Sequence, residues 1–189
     1  MPLLDHFSLL APFYERAIPL RSAEKIIAMI GLPVEGALLD AGGGTGRVTQ
    51  ALAGLAGLRV VADESGGMLA QAALKPGVLP AQAHTERLPF ADGVFERVIM
   101  VDALHHVLHQ HHSAAEMWRV LRPGGRIVIE EPDVRTFSVK LVALAEKLAL
   151  MRSHFLSPPE IQALFPFPGA RSRVELDGWN AWVIIEKPA

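Results

Sequence analysis

Asp40-Ala41-Gly42-Gly43-Gly44-Thr45-Gly46 places a carboxylate and four glycines within seven positions, directly after the apolar run Ala37-Leu38-Leu39. Glycines let a backbone approach a ligand closely, and a helix opening after them offers N–H groups to it. Two phosphate-binding patterns can be tested here. The P-loop needs Lys-Ser/Thr after its last glycine, but Gly46 is followed by Arg47-Val48. The dinucleotide pattern G-x-G-x-x-G fails from Gly42, which puts Arg47 last, and from Gly44, which puts Thr49 last. A D-x-G-x-G-x-G loop remains. The second concentration of chemistry is His105, His106, His109, His111 and His112, five of the eight histidines. Only His105 and His109 have i, i+4 spacing and no carboxylate-histidine ligand pattern accompanies them, so surface histidines are expected rather than a metal site. With no cysteine, a disulfide scaffold, thiolate-held metal and thiol nucleophiles are excluded.

These groups must be held by a fold, and strand-like and helix-like segments alternate along the chain. Ala37–Asp40 reads as a strand, Thr45–Leu55 as a helix with Val48, Leu52 and Leu55 on one side, and Leu58–Ala62 as a strand. A short helix over Gly67–Leu74 ends at Lys75-Pro76-Gly77, and Leu79–Ala83 is a third strand despite Pro80. Strands at Val94–Val101 and Arg126–Glu130 flank a helix over His111–Leu121, stopped by Arg122-Pro123-Gly124-Gly125. Val174–Leu176 and Ala181–Ile185 pair around Asp177-Gly178, a strong hairpin signal. The expected fold is α/β: a doubly wound, Rossmann-like, mostly parallel sheet with a C-terminal antiparallel hairpin. Residues 134–169 form a helical cover before that hairpin. It carries an apolar stripe at Leu141, Leu144, Leu148 and Met151, and Ser157-Pro158-Pro159-Glu160 opens a short helix to Phe165. No repeat or linker marks a second domain, so 189 residues read as one domain, 1–189.

A net charge of −2 with 20% charged residues lacks the basic footprint of nucleic-acid binders. The N-terminal residues Met1 to His6 show neither a basic region nor a sustained apolar stretch, so cytoplasmic residence is the expectation. No apolar run approaches the roughly 20 residues of a membrane span.

The loop and its companions resemble the class I S-adenosylmethionine-dependent methyltransferases, and most of all the ubiquinone/menaquinone-biosynthesis C-methyltransferase group. The resembling segments are LLDAGGGTG from Leu38, VADESGGML from Val61, LPFADGVFERV from Leu88, ALHHV from Ala103 and LRPGGR from Leu121. Their order and spacing span nearly the whole chain. The resemblance implies a seven-stranded sheet, S-adenosylmethionine as cofactor with S-adenosylhomocysteine as product, no metal, and a small-molecule acceptor.

Residue by residue, Gly42, Gly44, Thr45 and Gly46 form the cofactor loop. Asp40 faces the cofactor ammonium directly or through water, with turn capping as its competing role. Asp63 accepts hydrogen bonds from ribose hydroxyls, as a carboxylate at this strand end does in dinucleotide sites. Glu64 is its solvated neighbour, and Met68 packs either on the adenine or in the core. Where the family places an acidic and then a small residue for the adenine, this chain has His84 and Thr85; a histidine can still serve a base edge, with a charge that depends on pH. Asp102 follows the fourth strand near the methionine end of the cofactor. His105 and His106, a pair the family shares, are candidates for a general base or for a structural role. Tyr14, the only tyrosine, falls in an N-terminal helical cover over residues 1–35 whose tyrosine lies over the cofactor in relatives.

The sulfonium of S-adenosylmethionine is already activated, so the protein must align donor and acceptor, exclude water and, where needed, take a proton. The expected function is methyl transfer to a small molecule by in-line displacement. The competing reading is a cofactor-binding regulatory or scaffold module without turnover; a nicotinamide oxidoreductase is opposed by Arg47 and the terminal hairpin. Arg135, Lys140, Lys147 and Arg152 against Glu146 suggest a partly apolar acceptor with an anionic group beneath the 134–156 segment, or simply a solvated basic face. Homodimerisation has no specific support in the sequence.

Overall fold

In the computed structural model, residues 23–136, 139–140 and 153–189 are described. Tyr14 and most of the expected N-terminal cover, together with the Leu141–Met151 stripe, lie outside the described residues. The elements are α1 Ala23–Ile30, β1 Val34–Ala41, α2 Arg47–Ala51, β2 Ala56–Asp63, α3 Gly66–Ala72, β3 Val78–Gln82, β4 Phe95–Val101, a 3-10 turn Leu104–His106, α4 Gln110–Val120, β5 Leu121–Pro132, α5 Pro158–Ala163, β6 Arg171–Asp177 and β7 Asn180–Glu186.

The seven strands form one sheet in the order β3-β2-β1-β4-β5-β7-β6. All ladders from β3 to β5 are parallel, and β7 runs antiparallel to both β5 and β6. The order turns back between β1 and β4, which makes the carboxyl ends of those two strands the topological switch point where ligands of such sheets bind. Strand period decides which face each side chain meets. Ile127, Ile129, Val183 and Ile185 join Met117 and Val120 of α4 and Ile161 of α5 in one core. Val128, Trp182 and Ile184 join Ile26 and Ile30 of α1 and Val48 of α2 on the other face. The run Trp182-Val183-Ile184-Ile185 is therefore continuous because both its faces are covered.

Three departures from the sequence reading have simple causes. The helix after the glycine loop spans Arg47–Ala51 rather than Thr45–Leu55. Beyond it the bonds tighten to i→i+3 at Leu52, Ala53 and Leu55, and Gly54 at φ 76° turns the chain into β2. The fifth strand starts at Leu121, because the Arg122–Gly125 stop is absorbed as an irregularity in its pairing with β4. Pro80 is tolerated because β3 is an edge strand. The hairpin loop is Gly178-Trp179, closed by the Asp177–Asn180 pair, with glycine at the first central position and φ 62° as a II′ loop needs.

Truncating a central side chain tests this layering. Ile129, fully buried, should cost about 2–5 kcal/mol as Ile129→Ala, whereas Leu176, 60% exposed, should cost less than about 0.5 kcal/mol as Leu176→Ala. Urea denaturation reads both, and equal costs would contradict the assignment of faces.

Candidate active site

At the carboxyl end of β1 the chain reverses through the glycine loop, with Gly42, Gly44 and Gly46 at φ 71°, 54° and 72°. The Asp40 carboxylate is folded beneath it: a Cβ on Gly43 would stand 2.5 Å from Asp40 Cγ. Any side chain at Gly43 would displace the acid. The loop N–H groups of Gly42, Gly44 and Gly46 donate to Ala62 O at 2.7 Å, Asp63 Oδ2 at 2.9 Å and Gly43 O at 2.9 Å. These amides are engaged inside the protein, so the loop is not the open cradle of donors that a pyrophosphate requires. What converges on the cleft instead is a set of acids, Asp40, Asp63 and Asp102, with Arg47 beside them.

Asp63 ends β2 and holds the loop: Oδ2 accepts from Gly44 and Oδ1 from the Ser65 N–H at 2.9 Å. A carboxylate oxygen can accept more than one hydrogen bond, so an acid at this position can tie down backbone and accept from a hydroxyl together. Asp40 is 1% exposed. Its Oδ2 accepts from the Thr49 hydroxyl at 2.6 Å, while Oδ1 is buried with no hydrogen-bond partner. Burial is the largest influence on this acid and pushes it up to about 6 from an ordinary 3.8; the Thr49 hydrogen bond and Arg47 oppose that, and Asp63 adds to it. Across the cleft, Asp102 sits at φ 54°, a strained conformation for a non-glycine residue, and its N–H donates to Glu130 O at 2.9 Å.

Beyond Asp102, Glu131 of β5 organises the histidine turn. Its Oε1 accepts from Ala103 and Leu104 N–H at 3.0 and 2.6 Å, and Oε2 meets His105 Nδ1 at 2.6 Å. The His105 ring is stacked on Phe155 at 4.4 Å and 10°, with His106 at 4.0 Å. Burial first, and the adjacent His105 second, push the His106 imidazole down to about 4, so it is neutral at pH 7.

A model of the "Methyltransferase domain" family matches residues 39–129. A demethylmenaquinone methyltransferase of Mycolicibacterium gilvum is 35% identical over 155 residues, 76% of this chain and 68% of that protein. One from Mycolicibacterium vanbaalenii is 42% identical over 116 residues, 61% of this chain and 50% of that protein. A solved S-adenosylmethionine-dependent methyltransferase of Thermotoga maritima shares the fold at TM-score 0.79 and 20% identity, covering 96% of this chain and 98% of that one. The chain belongs to the class I S-adenosylmethionine-dependent methyltransferases, in the group similar to the ubiquinone/menaquinone-biosynthesis C-methyltransferases. It spans about half the length of several of the curated relatives it matches.

The residues fit the family's cofactor. A buried, unpartnered carboxylate oxygen suits an ammonium group, and a carboxylate at the end of β2 suits a ribose. Met68 is buried beside them, its Sδ 3.9 Å from where a Cβ on Gly44 would stand. Thr45 is buried in the loop. Two further candidates have protein partners: His84 Nδ1 lies 3.0 Å from Glu64 Oε2 on the surface, and the Thr85 hydroxyl is bonded to Ser113 Oγ at 2.7 Å in the interior. Thr85 therefore offers a ligand its backbone more readily than its hydroxyl. Glu131, Thr49 and Phe155 were not singled out from sequence. The one signal for Glu131 was a Glu-Glu pair ending an otherwise apolar strand, Ile127-Val128-Ile129-Glu130-Glu131. No three-residue group of metal-ligating side chains occurs among the described residues.

Asp40 trades stability for this geometry. Because its folded carboxyl binds a proton more tightly than the unfolded chain does, the ionised form is unfavourable above about pH 6, and the penalty is relieved as pH falls toward 3.8. The difference is about 3 kcal/mol. Asp40→Asn should therefore raise the urea stability of the ligand-free protein at neutral pH, with the gain vanishing near pH 4. It should also weaken S-adenosylhomocysteine at least about tenfold. A variant less stable than wild type at neutral pH would contradict this account.

Proposed function

We propose that the protein transfers the methyl group of S-adenosylmethionine to a small-molecule acceptor by in-line displacement, releasing S-adenosylhomocysteine, with no metal taking part. One observation carries the reading: two carboxylates, Asp40 and Asp63, converge on a glycine loop whose own amides are already engaged. The bound cofactor supplies an activated sulfonium methyl; no nucleophile is required of the protein.

The chain's residues bind, orient and exclude water. Asp63 accepts from the ribose hydroxyls while keeping the loop closed through Gly44. Asp40 Oδ1 receives the ammonium directly or through one water. Met68 packs against the adenosine, and His84, Glu64 and Thr85 border the adenine. Asp102, held at its strained φ by the bond to Glu130, closes the methionine end.

His105 is the candidate base. With Nδ1–H donated to Glu131, the other ring nitrogen, Nε2, is the one that takes up a proton, the arrangement by which a carboxylate orients a histidine for proton removal. His106, pushed down to about 4 by burial and the adjacent His105, serves as a neutral polar neighbour. An acceptor that must lose a proton as it is methylated fits this pair. Demethylmenaquinone, for which the relatives are named, is the first acceptor to test, in its reduced quinol form.

Calorimetry should show S-adenosylhomocysteine binding that Asp63→Ala weakens by at least about tenfold. Single-turnover transfer to a demethylmenaquinol analogue should slow by about 100-fold or more in His105→Gln, with S-adenosylhomocysteine affinity kept within about twofold. Tight cofactor binding with no transfer to any small molecule would favour a binding module without turnover.

A further inference from the structure

Thr49 lies in α2, nine residues from Asp40, and its hydroxyl does not make the local bond usual for a helical threonine, to a carbonyl one turn back. It crosses instead to β1 and donates to Asp40 Oδ2 at 2.6 Å, fully buried. The backbone of the same residue is fixed from the opposite side. Arg59 of β2, 8% exposed, donates from Nη1 to Thr49 O at 2.9 Å and from Nη2 to Pro76 O at 3.2 Å. The turn after α3 is shaped around that guanidinium: a Cβ on Gly77 would stand 2.6 Å from Arg59 Nη2. Arg59, Thr49 and Asp40 thus form a chain of contacts ending at Asp40 Oδ1, a buried carboxylate oxygen with no hydrogen-bond partner.

We propose that Thr49 is a positioning residue for the cofactor's amino-acid end: it holds Asp40 Oδ2 so that Oδ1 is the oxygen presented to the ammonium, and Arg59 acts through Thr49 to keep it there. This rests on reading the Asp40 cleft as the cofactor site. A carboxylate free to turn would divide its time between orientations, and ordering it on binding would weaken the ligand. Thr49 makes that selection before the ligand arrives. Gly43 leaves the acid its room, and Thr49 sets its direction.

The other charged groups facing Asp40 are Arg47 from α2, Asp63 from the end of β2 and Asp102 from the end of β4. None of them is altered by a change at Thr49, so the hydroxyl can be tested by itself. The probes are S-adenosylhomocysteine, which carries the ammonium, and 5′-methylthioadenosine, which keeps the adenosine and thioether but lacks the amino-acid end. Titrations of both run from about pH 5 to 7.5 on wild type, Thr49→Val, Thr49→Ser and Arg59→Met. In wild type, S-adenosylhomocysteine affinity falls as pH drops through about 6, while 5′-methylthioadenosine affinity stays flat. Thr49→Val should move the S-adenosylhomocysteine midpoint upward by roughly one pH unit and weaken it about tenfold at neutral pH. It should leave 5′-methylthioadenosine within about twofold, and Thr49→Ser should restore both features. Arg59→Met should show the same selective loss in smaller degree. Should the valine variant not fold, Thr49→Ala removes the same hydroxyl without adding an atom and is read the same way. An unchanged midpoint and affinity in Thr49→Val, or equal losses for the two ligands, would overturn the proposal. Wild-type protein that binds neither ligand would overturn the reading of the cleft itself, and the proposal with it.

Discussion

Everything at this site depends on keeping one carboxylate, that of Asp40, ionised and aimed while almost wholly removed from water. Burial works against it, and the surrounding structure is arranged to tolerate the cost. Gly43 has no side chain to collide with it, Thr49 supplies a hydrogen bond, and Arg47 supplies a positive charge nearby. A buried acid with one unpartnered oxygen is an unfavourable feature unless something cationic or donating completes it. On the proposed reading, the same imbalance that destabilises the ligand-free protein favours an ammonium in the cleft.

The sheet makes this arrangement possible. The parallel ladders bring the carboxyl ends of β1, β2, β4 and β5 to one edge, so Asp40, Asp63, Asp102 and Glu131 arrive there from segments far apart in sequence. Two of these acids do double duty. Asp63 ties down the loop through Gly44, and Glu131 ties down the turn that carries His105 while also bonding its ring. The antiparallel β7 then seals the far side of β5 and lets both faces of that strand be buried behind the polar edge.

How much of this could be read from the sequence follows from how local each feature is. The glycine loop and the acid ending the second strand are contiguous signals, and their spacing already separated this loop from the two phosphate-binding patterns. The hairpin was legible in Asp177-Gly178, although the turn sits one residue later. Glu131 was not legible, because its partner His105 is 26 residues away and an acid at a strand end looks like an ordinary exit to solvent. Thr49 was hidden for a related reason: inside a helix a threonine shows no sign of reaching across to another strand. The short helix α2 was overestimated because Leu52 and Leu55 keep helical spacing after the hydrogen bonds have tightened. His84 and Thr85 were located by resemblance, and only side-chain geometry reveals that one is paired with Glu64 and the other with Ser113.

The central claim is that Asp40 Oδ1 awaits the cofactor's ammonium. A crystal structure with S-adenosylhomocysteine bound tests it most directly. The account predicts the amino nitrogen within hydrogen-bond distance of Asp40 Oδ1, directly or through a single water, with Thr49 still bonded to Oδ2 and the ribose hydroxyls on Asp63. A complex in which the ligand's amino-acid end lies away from Asp40 and Oδ1 stays without a partner would contradict it.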